Sequence, residues 1–276
     1  MTKLNFLKPL PVKDKIRLGC NADGGYVVYK KAILAANVLL SYGVGWEISF
    51  EEHFNRISNK KVLMFDHTMF GKYLFNFKYY REVLFRMNFR EAYLYPRQIW
   101  RLWKLRQQLA TKGIIFINEG ISCHKTGKCD TFASHIKRFK LDGQRLFIKM
   151  DIEEGEYDIF MDPSFYMYLQ PVTQMVIEFH NLENRLNAFF DILEKLSTDF
   201  ELVHIHANNY GGVFQLTGLP GNTQEDIMIP DTLELSFAKK ECIDPDDILE
   251  HTESYPVAHL DFPNDPSKQD YALSFI

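Results

Sequence analysis

The chain has 276 residues, 46% of them hydrophobic and 25% charged, with a formal net charge of -4; this apolar fraction excludes general disorder, and the length allows one large domain or two small ones. No apolar run approaches the roughly 18 residues of a membrane span, which excludes an integral membrane protein. The first residues lack the apolar stretch and small-residue cleavage site of a secretory signal, so a cytoplasmic protein is expected. The four cysteines, Cys20, Cys123, Cys129 and Cys242, are too sparse for a disulfide framework. Cys123-His124 with Cys129 leaves a zinc site open beside the plainer reading of unpaired loop thiols.

Residues 1–36 form an N-terminal segment carrying Asp23-Gly24-Gly25-Tyr26. Strand-like apolar runs follow at 37–42, 61–65, 113–117, 145–150, 174–179, 201–205 and 231–237, with helix-like stretches at 51–57, 131–139 and 184–196. Buried parallel strands read as short continuous apolar runs, so seven strands alternating with helices predict a doubly wound α/β sheet. No internal repeat or linker divides the sequence, and 1–276 reads as one domain.

Segment 69–112 departs from this pattern. It holds Lys72, Arg81, Arg90, Arg101, Lys104 and further basic residues against only Glu82 and Glu91, among aromatics such as Tyr73, Phe77, Phe85, Trp100 and Trp103. Helical spacing from Tyr80 and again after Pro96 predicts an inserted helical pair. It packs its aromatic face on the domain, or it meets an anionic partner: a phosphorylated or nucleotide-linked acceptor, or a membrane surface. No nucleic-acid module accompanies the charge, and no nucleic acid is expected.

In an open α/β sheet, ligands bind beyond the carboxyl ends of the strands. After the first strand, Gly43 and Gly45 allow a tight turn and close ligand approach. The third glycine of a dinucleotide fingerprint is missing, and Glu51 and Glu52 opening the next helix would repel a pyrophosphate. Asp66 ends the second strand about twenty residues past the glycines, where a carboxylate accepts the hydroxyls of a ribose, or else caps a turn. The pair suits adenosine with a cationic tail, as in S-adenosylmethionine. Further polar strand ends are Asn118-Glu119, Asp151, Glu178 with His180, and His206 followed by Asn208-Asn209. Glu153, Glu154 and Asp158 read as first-turn acids of a helix. Asp151 and Glu178 at adjacent strand ends suit Mg2+ or Mn2+, or bind the acceptor directly. His180 and His206 are candidate general bases. His204, on the same face as His206, reads as a buried, hydrogen-bonded histidine, and Asn208 and Asn209 as turn residues.

Taken in order, Asp23-Gly24-Gly25-Tyr26-Val27, Ser41-Tyr42-Gly43-Val44-Gly45-Trp46-Glu47, Phe65-Asp66-His67-Thr68 and Lys149-Met150-Asp151-Ile152-Glu153-Glu154-Gly155 resemble the FkbM-type S-adenosylmethionine-dependent methyltransferases. The likeness continues through Val176-Ile177-Glu178-Phe179-His180, His204-Ile205-His206 and Leu260-Asp261-Phe262-Pro263-Asn264. The resemblance implies a class I methyltransferase (Rossmann-like) seven-stranded sheet and O-methylation of a sugar hydroxyl, in a glycan or a nucleotide-linked sugar. With the strand-end positions read above, the expected cofactor contacts are Asp23, Gly43, Gly45, Glu47, Asp66 and Glu119, with His180, His206 and Asp151 at the reacting end. Ser41 stands where the general glycine motif opens on an acid, which leaves Asp23 or Glu47 for the methionine ammonium. Competing readings are another small-molecule acceptor, a nicotinamide oxidoreductase, or a catalytically inactive module of this fold that binds partners.

Overall fold

The computed structural model describes residues 3–68, 106–107, 109–216, 227–251 and 253–275. An antiparallel hairpin opens the architecture, with β1 (Lys15–Leu18) pairing β2 (Tyr26–Tyr29), and α1 (Lys30–Ala35) follows directly. The main sheet then begins with β3 (Val38–Tyr42), α2 (Ser49–Ser58), β4 (Lys61–Phe65) and β5 (Ile114–Ile117). A short parallel pair, β6 (Gly120–Ile121) and β7 (Cys129–Asp130), leads to α3 (Phe132–Arg138) and β8 (Leu146–Met150). Next come α4 (Gly155–Met161), α5 (Pro163–Tyr166), β9 (Val172–Phe179), α6 (Leu182–Leu196) and β10 (Phe200–Ala207). A small antiparallel pair, β11 (Val213–Gln215) and β12 (Met228–Pro230), precedes β13 (Leu233–Lys239).

Seven strands share one sheet in the order β10-β13-β9-β8-β3-β4-β5. All neighbours are parallel except β13, which lies antiparallel between β9 and β10. This is the class I methyltransferase arrangement, a Rossmann-like sheet with an inserted antiparallel last strand. The chain reverses its direction of winding between β3 and β8, and the crevice at such a switch point is where this kind of sheet receives ligands.

Successive residues along the strands feed opposite faces, as the pleat requires. Leu40, Phe65, Ile148 and Ile177 enter one buried cluster with Phe132, Tyr157, Phe160, Phe189 and Phe190 of α3, α4 and α6. Their neighbours Leu39, Met64, Phe147 and Val176 enter a second cluster with Ile33, Phe50 and Phe54 of α1 and α2 and with Leu18, Tyr26 and Val28 of the hairpin. Both faces are therefore covered. All seven expected strands are present, some longer than the apolar runs. β9 begins earlier because Thr173 is buried at no polar penalty, its hydroxyl lying 3.1 Å from the carbonyls of both Ala32 and Leu146. The expected helical pair in the basic, aromatic stretch falls on residues outside those described. Among the described residues, no helix is long and apolar enough to cross a membrane.

α3 starts where its sequence signals: Thr131 caps it by accepting the Ser134 amide at 3.1 Å, and Asp130 accepts the Ser134 hydroxyl at 2.9 Å. Its His135 is fully buried, stacked on Phe65 at 4.4 Å and facing Tyr42, whose hydroxyl lies 3.2 Å from Nδ1. Burial disfavours the charged ring and pushes its pKa from 6.5 down to about 4. The stabilisation by the neutral ring is thus complete above pH 6.5 and lost as pH falls through about 4. On the order of 3 kcal/mol of unfolding free energy should disappear over that window through this group. Urea midpoints measured from neutral to acid pH should show the loss, and His135→Phe should flatten it. An equally steep acid limb in that variant would assign the sensitivity to another group.

Candidate functional site

A cavity of about 470 Å³ opens beyond the ends of β3, β4 and β8. Its floor is the turn after β3. Gly43 has φ +72°, and a Cβ added there would lie 1.5 Å from the carbonyl oxygen of Asp151. No side chain fits between these two strand ends. The glycine is required by their backbone contact. Gly45, at φ +58°, would place a Cβ with nothing within 4 Å. Gly45 is therefore the position where the backbone lies open to a ligand.

Asp66 takes the turn-capping role of its two sequence readings. Its Oδ2 accepts the Gly45 amide at 2.9 Å, and its Oδ1 accepts the Thr68 amide and hydroxyl at 2.7 and 2.8 Å. It holds the turn, and it also lines the cavity. Asp23 and Glu47 line the same space; Glu47 accepts the Ser49 amide at 2.8 Å and so anchors the start of α2. Five of the six expected cofactor residues thus converge on one cavity. Glu119 does not. Its carboxylate is drawn to the Arg138 guanidinium on α3, leaving its neighbours Gly120 and Ile121 on the cavity wall.

Other acids stand differently from expectation. Glu51 does not face the glycine turn: it is fully buried and accepts a hydrogen bond from Ser41, and burial raises its pKa. Glu52 turns away to within 3.7 Å of Lys112. Glu153 and Glu154 stand at the N-terminus of α4 as expected but just outside its first turn, Glu154 as the N-cap, and both have positive φ, 54° and 73°. Within α4 the first-turn acids are Glu156 and Asp158, and buried Glu156 accepts the Ile152 amide at 2.8 Å.

Asp151 joins the cavity to a second polar cluster. Donor atoms of Asp151, Glu178 and His180 all lie within 4.8 Å of one another, so the expected carboxylate pair gains an imidazole. Tyr26 of the hairpin donates to Glu178 Oε2 at 2.9 Å and lies 3.2 Å from Asp151 Oδ2. Asn208, expected to be a turn residue, also donates to Glu178 Oε1 at 2.7 Å. Burial raises the Glu178 pKa well above the carboxylate range, and the charges of Asp151 and Glu234 push it further. His180 loses basicity to burial but gains more from Glu156, Glu178 and Asp151, and its pKa rises to about 9.

His206 does not reach the cavity. It is buried on β10 with Nδ1 3.1 Å from Glu234 and Nε2 3.0 Å from Asp270, and these carboxylates overcome its burial and raise its pKa to about 10. Both nitrogens are engaged and the ring is cationic, so His206 ties the C-terminal segment to the sheet instead of acting as a base. His204 is the buried histidine expected, 2.8 Å from Asp261. The sulfur ligands do not assemble. Cys123 Sγ lies 3.0 Å from His124 and Cys129 Sγ 4.0 Å from His67, all four cysteines are unpaired, and neither pair gains a third ligand among the described residues.

The residues missed by sequence reasoning are Tyr26, Lys149, Glu156, Glu234 and Asn264. Lys149 is buried at the cavity, 3.2 Å from the Gly43 carbonyl oxygen and 3.6 Å from Asp151 Oδ2, with Tyr26 packed against its ammonium. Burial opposes its charge, but Asp151, Glu51 and Glu178 more than compensate and hold its pKa above the usual value. A lysine inside an apolar strand run is the signal that could have exposed it.

No protein-family model and no curated protein matches the chain. Among solved structures, the O-methyltransferase TomG from Streptomyces achromogenes, in complex with SAM, shares 13% identity over 76% of each chain with a TM-score of 0.33. Fibrillarin in a fibrillarin/Nop5p complex shares 9% identity over 74% of this chain and 73% of that chain, with a TM-score of 0.34. The precorrin-6y C5,15-methyltransferase of Geobacter metallireducens shares 10% identity over 76% of this chain and 87% of that chain, with a TM-score of 0.32. Overlaps this loose carry no argument about activity; the fold assignment rests on strand order and direction.

The two glycines separate structure from binding. Gly43→Ala should destabilise the chain by more than about 3 kcal/mol, because backbone must move to admit the methyl group. Gly45→Ala should cost only about 1 to 2 kcal/mol, the strain of a left-handed alanine. Urea denaturation of both variants checks this, and equal losses would contradict the packing described at Gly43.

Proposed function

We propose that the cavity binds S-adenosylmethionine and that the chain transfers its methyl group to a sugar hydroxyl, in a glycan or a nucleotide-linked sugar. The observation that carries this reading is the sign of the wall. Asp23, Glu47, Asp66, Asp151 and Glu153 line the cavity, and its buried cation, Lys149, is already engaged by Asp151 and the Gly43 carbonyl. A sulfonium and an ammonium gain from such a wall, whereas the pyrophosphate of a dinucleotide is repelled by it. The volume also falls within the range of small-molecule sites. The ordered motifs resembling FkbM-type methyltransferases support the same reading, and the basic, aromatic stretch of the sequence favours an anionic acceptor.

In this account Asp66 accepts the ribose hydroxyls, while Asp23 or Glu47 holds the methionine ammonium. Gly45 admits the cofactor against the backbone. When bound, S-adenosylmethionine supplies an electrophilic methyl carbon, so the protein's work is positioning and proton removal. Asp151, at the cavity edge, accepts the proton of the attacking hydroxyl. Tyr26 and Asn208 fix Glu178 behind it, and Lys149 fixes the orientation of the Asp151 carboxylate. His180, backed by Glu156, stands behind Asp151 in the adjoining cluster.

Calorimetry on the full chain should show S-adenosylmethionine binding in preference to NAD+, and mass spectrometry of incubated nucleotide sugars should show a methyl-sized gain. Asp66→Asn should weaken cofactor binding by roughly 10- to 100-fold, the loss expected for hydrogen bonds to a charged acceptor. Preference for NAD+ would replace this reading with the oxidoreductase. Unchanged affinity in folded Asp66→Asn would remove Asp66 from the ribose.

A further inference from the structure

Three features of the Asp151, Glu178 and His180 cluster point beyond an ion pair. His180 Nε2 lies 3.8 Å from Asp151 Oδ1 and 3.6 Å from Glu178 Oε1, so it hydrogen-bonds to neither, and the three atoms surround a common gap. The other oxygens of the two carboxylates face other partners: Asp151 Oδ2 lies 3.2 Å from the Tyr26 hydroxyl with the Lys149 ammonium 3.6 Å away, and Tyr26 donates to Glu178 Oε2 at 2.9 Å. Asn208 occupies one side of Glu178 Oε1 at 2.7 Å and sets its orientation. The near oxygens are thus presented to the gap by fixed neighbours.

The second feature is the far side of the imidazole. Nδ1 faces Oε1 of Glu156 at 3.3 Å, and Glu156 is fully buried, with Oε2 lacking any hydrogen-bond partner. A carboxylate behind one ring nitrogen while the other faces carboxylate oxygens is the orientation that histidine adopts as a metal ligand. The third feature is access: Asp151 lines the cavity, so positions on an ion held here would remain open to water or to an acceptor oxygen. Donors up to 4.8 Å apart are close to what one six-coordinate ion spans, with bonds of about 2.1 to 2.3 Å.

We propose that Asp151, Glu178 and His180 form a binding site for one divalent first-row cation, with Mn2+ preferred over Mg2+. Two carboxylate oxygens accept either ion, but an imidazole nitrogen favours the transition metal. An ion there would acidify a bound hydroxyl or water at the cavity edge, with Asp151 as its ligand in place of the proton acceptor it is in the ion-free site. Binding stands on this geometry alone; only the ion's use in methyl transfer rests on the function proposed above.

The test is the electron paramagnetic resonance titration of the full chain with MnCl2, without S-adenosylmethionine. Loss of the free Mn2+ signal should give one site per chain, and Mg2+ should need at least a tenfold excess to displace it. Asp151→Asn and His180→Gln should each weaken binding at least tenfold. Glu156→Gln should weaken it about tenfold, as expected for the group behind a ligating histidine. His124→Ala, in the cysteine-containing loop, should leave it unchanged. Circular dichroism establishes which variants are folded, and Asp151→Asn, at a partly exposed position, serves if a buried variant does not fold. No bound Mn2+ at millimolar concentration, or full binding in folded Asp151→Asn, would overturn the site. Displacement by equimolar Mg2+ would overturn the role of the imidazole. Mn2+ binding to a chain that does not bind S-adenosylmethionine would sustain the ion site while removing the cofactor reading.

Discussion

The structure depends on how it accommodates a row of carboxylates, buried Glu178 and Glu234 on β9 and β13 and half-buried Asp151 just past β8. Glu178 and Glu234 sit directly opposite each other in the antiparallel pair, and Asp151 closes the row from β8. Like charges in this register repel, and burial without partners would cost several kcal/mol per group. The partners come from both ends of the chain. The N-terminal hairpin contributes Tyr26, and the last segment contributes Asn264, which donates to Glu234 at 2.6 Å, and Asp270, which fixes His206 beside Glu234. Asp261 secures the same segment through His204. Docking of the termini and charge compensation at the sheet's core are therefore one event.

From this row the site divides into two halves. The β3 and β4 ends provide a turn that Asp66 ties together and a backbone left open at Gly45, features that suit an adenosyl group. The β8 and β9 ends provide Asp151, Glu178 and His180, features that suit proton removal or an ion. Contact between Gly43 and the Asp151 carbonyl holds the halves together at the switch point of the sheet. Asn264 extends the coupling, lying 3.3 Å from Asp23 at the cavity wall as well as on Glu234. The C-terminal segment therefore positions both halves without lining the cavity.

Much of this was legible in the sequence, for identifiable reasons. Buried parallel strands leave apolar runs, and their polar ends mark the ligand side, so the sheet, Gly45, Asp66 and Asp151 could be read from local pattern. Partners distant in the chain could not. His206 reads as a base until Glu234 and Asp270 are brought to its two nitrogens. Glu119 reads as a cofactor ligand until Arg138 reaches it from α3. Glu51 reads as a surface acid of a helix terminus, yet the helix turns it inward to Ser41. The Asn208 contact with Glu178 is invisible in a sequence that spells a turn. In each case strand order, not residue type, decides the role.

The account's central claim is that the carboxylate-lined crevice between β3 and β8 is where the adenosyl group lies, with its sulfur toward Asp151. A crystal structure with bound S-adenosylhomocysteine tests this most directly. The account predicts ribose hydroxyls on Asp66, backbone contact at Gly45 and the sulfur facing the Asp151 carboxylate. Ligand density outside this crevice, or inside it with the sulfur directed away from Asp151, would contradict it.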